Sequence, residues 1–420
     1  MTQKTAPGKN WRVILTLLVS IAGILFFLVQ AFFLGLFGLI SILDPSSSLI
    51  DRAPISLYFW VSLFGAFLLI PLLMLSISYL RGKPSIGWLD LKKPALTWIS
   101  RWVIILWPLL VFLGWGATKI EGLSTLLLGP INLLVAGIPI LWIYAAAQRG
   151  LEGGSQIRKW WIFGFSIAFL PIIIITIELI AVVFLGGAGA IGLAFRFYNN
   201  PQIEQQLMQW IDQIQSIAFG QDLDALLDVL KPFLLQPSVI FWGIASFGGI
   251  FPIIEETIKP LALWPMAGRN ITEQEGFVGG LLCGAGFALM ENVLFFTNVS
   301  QPEEWLFMAI GRAGTGVLHM LASGLIGWGL ARAWRDGKWA FLGLTTLGSF
   351  FLHGLWNTIA VITGGVPLLF LETEPALGQT LLFQAPIILF LLISVVGLVL
   401  LNKHLQKKTV ETASIGENTL

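Results

Sequence analysis

Residues 237–264 read PSVIFWGIASFGGIFPIIEETIKPLALW, and this run decides the fold. It is long enough to cross the hydrocarbon of a bilayer as a helix, yet it carries Glu255, Glu256 and Lys259 in its second half. It does not alternate in polarity as a membrane strand would, and backbone groups in lipid must be satisfied within the segment, so helix is the expected state. Working outward, similar apolar runs fall near 13–42, 54–80, 97–117, 122–147, 160–187, 276–299, 305–334, 339–364 and 377–402. The sequence therefore predicts an all-α, polytopic transmembrane helix bundle of about ten spans.

Composition agrees. Hydrophobic residues make up 56% of the chain, charged residues 11%, and mean hydropathy is +0.85. A soluble domain sits nearer a quarter charged, so much of the solvent around this chain is lipid. The net charge of +1 leaves no electrostatic footprint for nucleic acid. The single cysteine, Cys283, lies inside an apolar run and offers no disulfide framework. The first apolar stretch, from Val13 to about Leu43, is far longer than a signal-peptide core and reads as a retained span.

Charge sets the expected orientation. With the N-terminus in the cytoplasm, most of the 24 basic residues fall in inside segments, and the outside segments keep Arg52, Lys119, Arg196 and Lys231. This is the asymmetry of the positive-inside rule, and it puts both termini in the cytoplasm. Four segments follow: a five-span N-terminal region over 1–192, an extracytoplasmic amphipathic helical segment over 193–236, a core of four spans over 237–365, and a last span with a basic tail over 366–420. In the second segment Asn200-Pro201 reads as a helix start, and Ile203, Leu207, Ile211, Ile214 and Ala218 recur at helical spacing. Helices lying flat on the outer surface, or a lid over a site beneath, both suit that pattern. The serine run at 46–48 reads as a turn, and the tail from Thr409 as disordered.

Ionisable groups at membrane depth are costly and mark function by default. From 237 onward four consecutive spans carry them: Glu255, Glu256 and Lys259, then Glu291, then Arg312 and His319, then His353. Counting 1.5 Å per residue from each span's midpoint puts Glu255, Glu291, His319 and His353 within roughly 7 Å of the bilayer centre. Lys259 shares a helix face with both acids, but one lysine leaves a surplus negative charge in low dielectric. That is a poor structural choice and a good general base. Pro252 and Pro260 bracket the pair and predict a kinked helix there. Glu291 follows Gly276, Gly280 and Gly284, whose four-residue spacing lets a neighbouring helix approach closely. Asn357 falls one turn after His353, on its face. A lone histidine at this depth is often only a bond between helices, but two on adjacent spans beside glutamates point to chemistry. Arg312 sits about 10 Å outward of centre, at nearly the depth of Glu178. The expected role of those two is a structural ion pair, with Glu178→Gln destabilising the fold without selectively abolishing chemistry.

These residues resemble the PrsW family of intramembrane proteases, related to the CAAX prenyl endopeptidases. The pattern is a double glutamate followed by a basic residue, a Phe-x-x-x-Glu motif and two later histidines. Here it is Glu255-Glu256-x-x-Lys259, Phe287-x-x-x-Glu291-Asn292, His319 and His353, covering about 237–365. The resemblance implies hydrolysis of membrane-anchored proteins, such as an anti-sigma factor or other regulator, in the membrane of a bacterial cell. Two mechanisms are open. In one, Glu255 is general base on a water, Lys259 and Glu256 set its protonation, His353 with Asn357 stabilises the oxyanion, and His319 and Glu291 position the water. In the other, Glu256, Glu291, His319 and His353 are ligands to zinc. No His-Glu-x-x-His pair shares a helix, and the His353-x-x-x-Asn357 turn looks like its counterpart in the CAAX enzymes, where glutamate chemistry is favoured. Other classes compete: a proton-coupled transporter or channel would use the same polar groups as a relay, and a non-catalytic scaffold would use them to bind partners.

Overall fold

The computed structural model describes residues 11–43, 52–83, 101–120, 123–199, scattered positions between 205 and 232, 234–296, 302–370 and 377–417. Among these residues the chain is nearly all helical, with no strand. Helices α1 (Trp11–Leu43), α2 (Arg52–Leu80), α3 (Leu106–Thr118), α4 (Leu123–Ala147), α5 (Gln156–Ala168) and α6 (Leu170–Asn199) form the first half. The second half holds α7 (Pro237–Ala245), α8 (Phe251–Ile258), α9 (Glu273–Phe295), α10 (Pro302–Asp336), α11 (Trp339–Phe370) and α12 (Leu377–Glu417).

Eight stretches among the described residues are long and apolar enough to cross a membrane. They fall on eight of the ten expected spans. The run near 97–117 is described from Arg101 and gives only a short apolar helix, Val103–Thr118. The run near 339–364 is the 32-residue α11, which carries Thr345, Ser349, His353 and Asn357 within its apolar length and is not among the eight. The serine run at 46–48 lies outside the described residues, as does most of 193–236. The tail corrects an expectation: α12 continues through Thr409 to Glu417, and no glycine or proline lies between Gly397 and Gly416 to interrupt it there.

The helix that carries the glutamate pair is broken on both sides of it. A π turn, Ser246–Ile250, leads into the eight-residue α8, and a 3-10 stretch, Lys259–Met266, follows. Proline explains both breaks. Pro252 cannot donate to the Gly248 carbonyl, nor Pro260 to that of Glu256, so the α-helical ladder fails at each position and the winding changes.

By its internal contacts the chain divides into two units. The first comprises Met1–Ile172, Glu256–Ser349 and Leu391–Leu420; the second comprises Ile173–Glu255 and Phe350–Phe390. The division cuts α6, α8, α11 and α12, and one cut is the peptide bond between Glu255 and Glu256.

The first unit is built around α9 and α10. Their apolar windows are 89% and 83% buried, so almost every face meets protein rather than lipid. A reciprocal capping box starts α9: Thr272 accepts from the Glu275 backbone N–H at 3.1 Å, and the Glu275 carboxylate accepts from the Thr272 N–H at 2.9 Å. Arg158 of α5 then pairs with Glu275 at 2.6 Å. The two helices meet backbone to backbone. A Cβ on Gly276, Gly280 or Gly284 would run into the carbonyl of Gly327, Ser323 or His319 respectively. This seam fixes which residues of α9 and α10 face each other. Trp305 anchors the start of α10, its indole donating to Asn132 of α4 at 2.8 Å. Asn402 of α12 donates to the carbonyls of Ala147 and Arg149.

In the second unit α11 crosses the π turn. A Cβ on Gly354 would meet the Gly248 carbonyl, and one on Gly248 would meet Thr358. Asn357 donates through Nδ2 to the Phe247 carbonyl at 3.0 Å, giving a partner to a backbone group of the turn.

Replacing Gly280 with alanine should lower stability by about 1–3 kcal/mol, read as a fall in the unfolding midpoint of the purified protein in detergent. Gly343→Ala, where an added Cβ meets nothing within 4 Å, is the control and should leave the midpoint unchanged.

Candidate active site

In the first unit the site is a chain of contacts across four elements: the end of α8, the 3-10 stretch, α9 and α10. Lys259 opens the 3-10 stretch and is completely buried, as is Glu256. Its ammonium donates to Glu256 Oε1 at 2.7 Å and lies 2.9 Å from His319 Nδ1 on α10. The ring of Phe287, on α9, sits 4.3 Å from the same nitrogen and edge-on to the His319 imidazole. Because an ammonium only donates, His319 Nδ1 accepts from it, and the ring proton falls on Nε2. That nitrogen donates to Glu291 Oε2 at 2.8 Å. Arg312 closes the chain, with Nη2 2.6 Å from Glu291 Oε2. Glu256, Lys259, His319, Glu291 and Arg312 thus alternate in charge and donor capacity along one connected line. Such a line is how a membrane interior tolerates five polar groups.

Supporting contacts fix the line in place. Asn292 accepts from Arg312 Nε at 2.8 Å and donates to its backbone carbonyl at 3.1 Å. Ser323, one turn after His319, donates to Glu256 Oε2 at 3.4 Å. The glycine seam does the rest: the approach of Gly284 to the His319 carbonyl brings the next two turns of α9, with Phe287 and Glu291, against the imidazole.

In the second unit Glu255 and His353 form a pair, with His353 Nε2 3.8 Å from Glu255 Oε2 and both residues buried. Asn357 sits one turn on and is committed through Nδ2 to the Phe247 carbonyl. Every residue singled out in the sequence is therefore placed in one unit or the other. Glu256, Lys259, Glu291 and His319 come together in the first, and Glu255, His353 and Asn357 in the second. The two sets are joined covalently at Glu255-Glu256.

Depth along the spans had matched Arg312 with Glu178, which lies in the second unit. Within the first unit the structure gives Arg312 the carboxylate of Glu291, an α9 residue it shares with His319. Phe287 and Ser323 also escaped notice as contributors. The first was visible in the Phe-x-x-x-Glu spacing, and the second lies four residues after His319, on its face.

The zinc expectation can be tested against these contacts. Carboxylates and imidazoles are suitable zinc donors, and the ligand atoms of Glu256 and His319 lie within 4.8 Å of one another. Their lone pairs are already engaged, however. Glu256 Oε1 and His319 Nδ1 both face the Lys259 ammonium, while Glu291 is taken by His319 and Arg312. A divalent ion between Glu256 and His319 would share its position with a cation. Glu256 and His319 belong to a buried group of glutamates and histidines suited by donor type to a metal, but as arranged the Lys259 ammonium faces both, and no chemical step is routed through a metal.

A buried line of two acids, a histidine, a lysine and an arginine among long apolar helices defines a polytopic helical membrane protein with an ionisable interior. A family model described as PrsW family intramembrane metalloprotease matches residues 176–393, more than half of the chain. The chain belongs to the PrsW family and is a multi-pass intramembrane protease. No curated protein and no solved structure matches it.

The Glu291–Arg312 pair should prove coupled. In a double-mutant cycle with Glu291→Gln and Arg312→Gln, thermal unfolding in detergent should give an interaction of about 0.5–3 kcal/mol. Strictly additive losses would show that the two side chains do not support each other.

Proposed function

We propose that this chain hydrolyses peptide bonds of membrane-anchored proteins with a water activated by Glu255. The observation that carries the reading is the unequal treatment of two consecutive carboxylates. Glu256 is neutralised by the Lys259 ammonium at 2.7 Å. Glu255 faces an imidazole instead, at 3.8 Å, which is beyond a direct hydrogen bond and within reach of one bridging oxygen. A carboxylate and an imidazole held around one oxygen are the parts of a general base and its orienting partner.

The chemistry follows from that placement. Glu255 takes a proton from water as its oxygen attacks the scissile carbonyl carbon. His353 donates to the oxyanion that forms, and Asn357 supports it. Collapse of the tetrahedral species breaks the C–N bond, and the departing amine takes the proton from Glu255. Lys259 and Glu256 set the charge beside the base, while His319, tied to Glu291, holds Lys259 in place. The π turn and the 3-10 stretch on either side of the pair supply non-helical backbone, the kind of break that admits a polar substrate segment at membrane depth.

The catalytic core in this reading is 237–365, within a protein whose termini are both cytoplasmic, in the plasma membrane of a bacterium. Its substrate is a single-span or membrane-anchored protein; a regulator such as an anti-sigma factor is one such substrate. The segment over 193–236 selects what reaches the site.

Purified protein with a single-span peptide substrate provides the test. Wild type should cleave, and Glu255→Gln and His353→Ala should each lower kcat by about 100-fold or more, with unfolding midpoints retained. A wild type that cleaves no such substrate under any condition overturns the reading. Asn357→Ala should cost about 10-fold or more in kcat; an effect confined to KM would assign this residue to substrate binding instead.

A further inference from the structure

The structure holds a fully buried ammonium where its family description implies a metal, and the contacts say how well each would sit. Lys259 Nζ has three protons, and among its partners are Glu256 Oε1 at 2.7 Å, His319 Nδ1 at 2.9 Å and the face of Phe287 at 4.3 Å. Zinc binds nitrogen and oxygen at about 2.0–2.2 Å, and the distances from Nζ are those of hydrogen bonds. The aromatic face matters independently. A ring attracts an ammonium through its quadrupole but supplies no lone pair to a transition metal. The imidazole is committed as well, since its second nitrogen donates to Glu291, which is itself tied to Arg312 at 2.6 Å. Freeing His319 for a metal would leave the Lys259 ammonium without one of its acceptors in a dry interior, a costly exchange.

We propose that the Lys259 ammonium is the resident cation of the Glu256–His319 pair, occupying the place a divalent metal would take, so that this half of the site works without metal. The inference deepens the proteolytic reading above and rests on it, but its test reads metal rather than cleavage. Lys259 is here a positioning residue. It fixes Glu256 as a neutralised neighbour of Glu255, and it holds His319 in the tautomer that donates to Glu291.

The experiment is elemental analysis of full-length protein purified in detergent from zinc-supplemented medium, with a cobalt(II) titration followed by visible absorption. Wild type should carry far less than one equivalent of metal, show no tetrahedral cobalt bands, and keep its cleavage rate after exhaustive chelation. Lys259→Met should lose cleavage without recovering it in added zinc or cobalt. One equivalent of metal in wild type that disappears in Glu256→Gln or His319→Ala would overturn the assignment, as would full activity of Lys259→Met with metal added. Metal that persists in both variants lies elsewhere and leaves it standing. If wild type cleaves nothing, the proteolytic reading fails, and metal content with the cobalt spectrum still decides this inference.

Discussion

A charge left unpaired in lipid costs far more than a protein's whole margin of stability, and the polar interior of this chain is arranged around that constraint. Lys259 and Glu256, both fully buried, neutralise each other, and His319 relays the contact onward to Glu291 and Arg312. Each group is tolerable because the next one is present. Removing any member leaves its neighbours uncompensated, so the line must be assembled as a whole. The same constraint explains why His319, Glu291 and Arg312 sit on α9 and α10, the two candidate spans most completely covered by protein.

Assembly of that line depends on how closely helices can approach. Side chains of ordinary size would hold α9 and α10 apart by the usual 8–10 Å between axes. Gly276, Gly280 and Gly284 remove that spacer and let backbones touch. The imidazole of His319 is then close enough for Glu291 on one side and Lys259 on the other. In the second unit Gly248 and Gly354 play the equivalent part for α11 and the π turn. Small residues thus set the separations, and the polar residues exploit them.

Backbone irregularity completes the site. Two prolines eight residues apart break one helix into α, π, α and 3-10 segments and leave the glutamate pair on the short central piece. Within α8 Glu255 and Glu256 project about 100° apart, toward different neighbours. The change of winding at Lys259 turns its side chain back beneath Glu256 and toward His319. The Phe247 carbonyl, in the π turn, is matched by Asn357 rather than left bare. Strain and solvation are settled locally, which suits a region that must also meet a substrate.

The sequence by itself determined the fold class, because long apolar runs in a chain with 11% charge have only one solution in lipid. It determined which residues carry the chemistry, since charge at membrane depth needs a purpose, and it showed the prolines and the glycine spacing that shape the helices. It did not determine partners. Depth along a span is readable from residue count, but rotation about the helix axis and the identity of the facing helix are not. For that reason depth did not name Glu291 as a partner of Arg312, which the packing of α9 on α10 supplied. The different lots of Glu255 and Glu256, one beside an imidazole and one beside an ammonium, are likewise tertiary facts. Adjacent in sequence and identical in type, the two carboxylates became distinct only when separate helices came up against each.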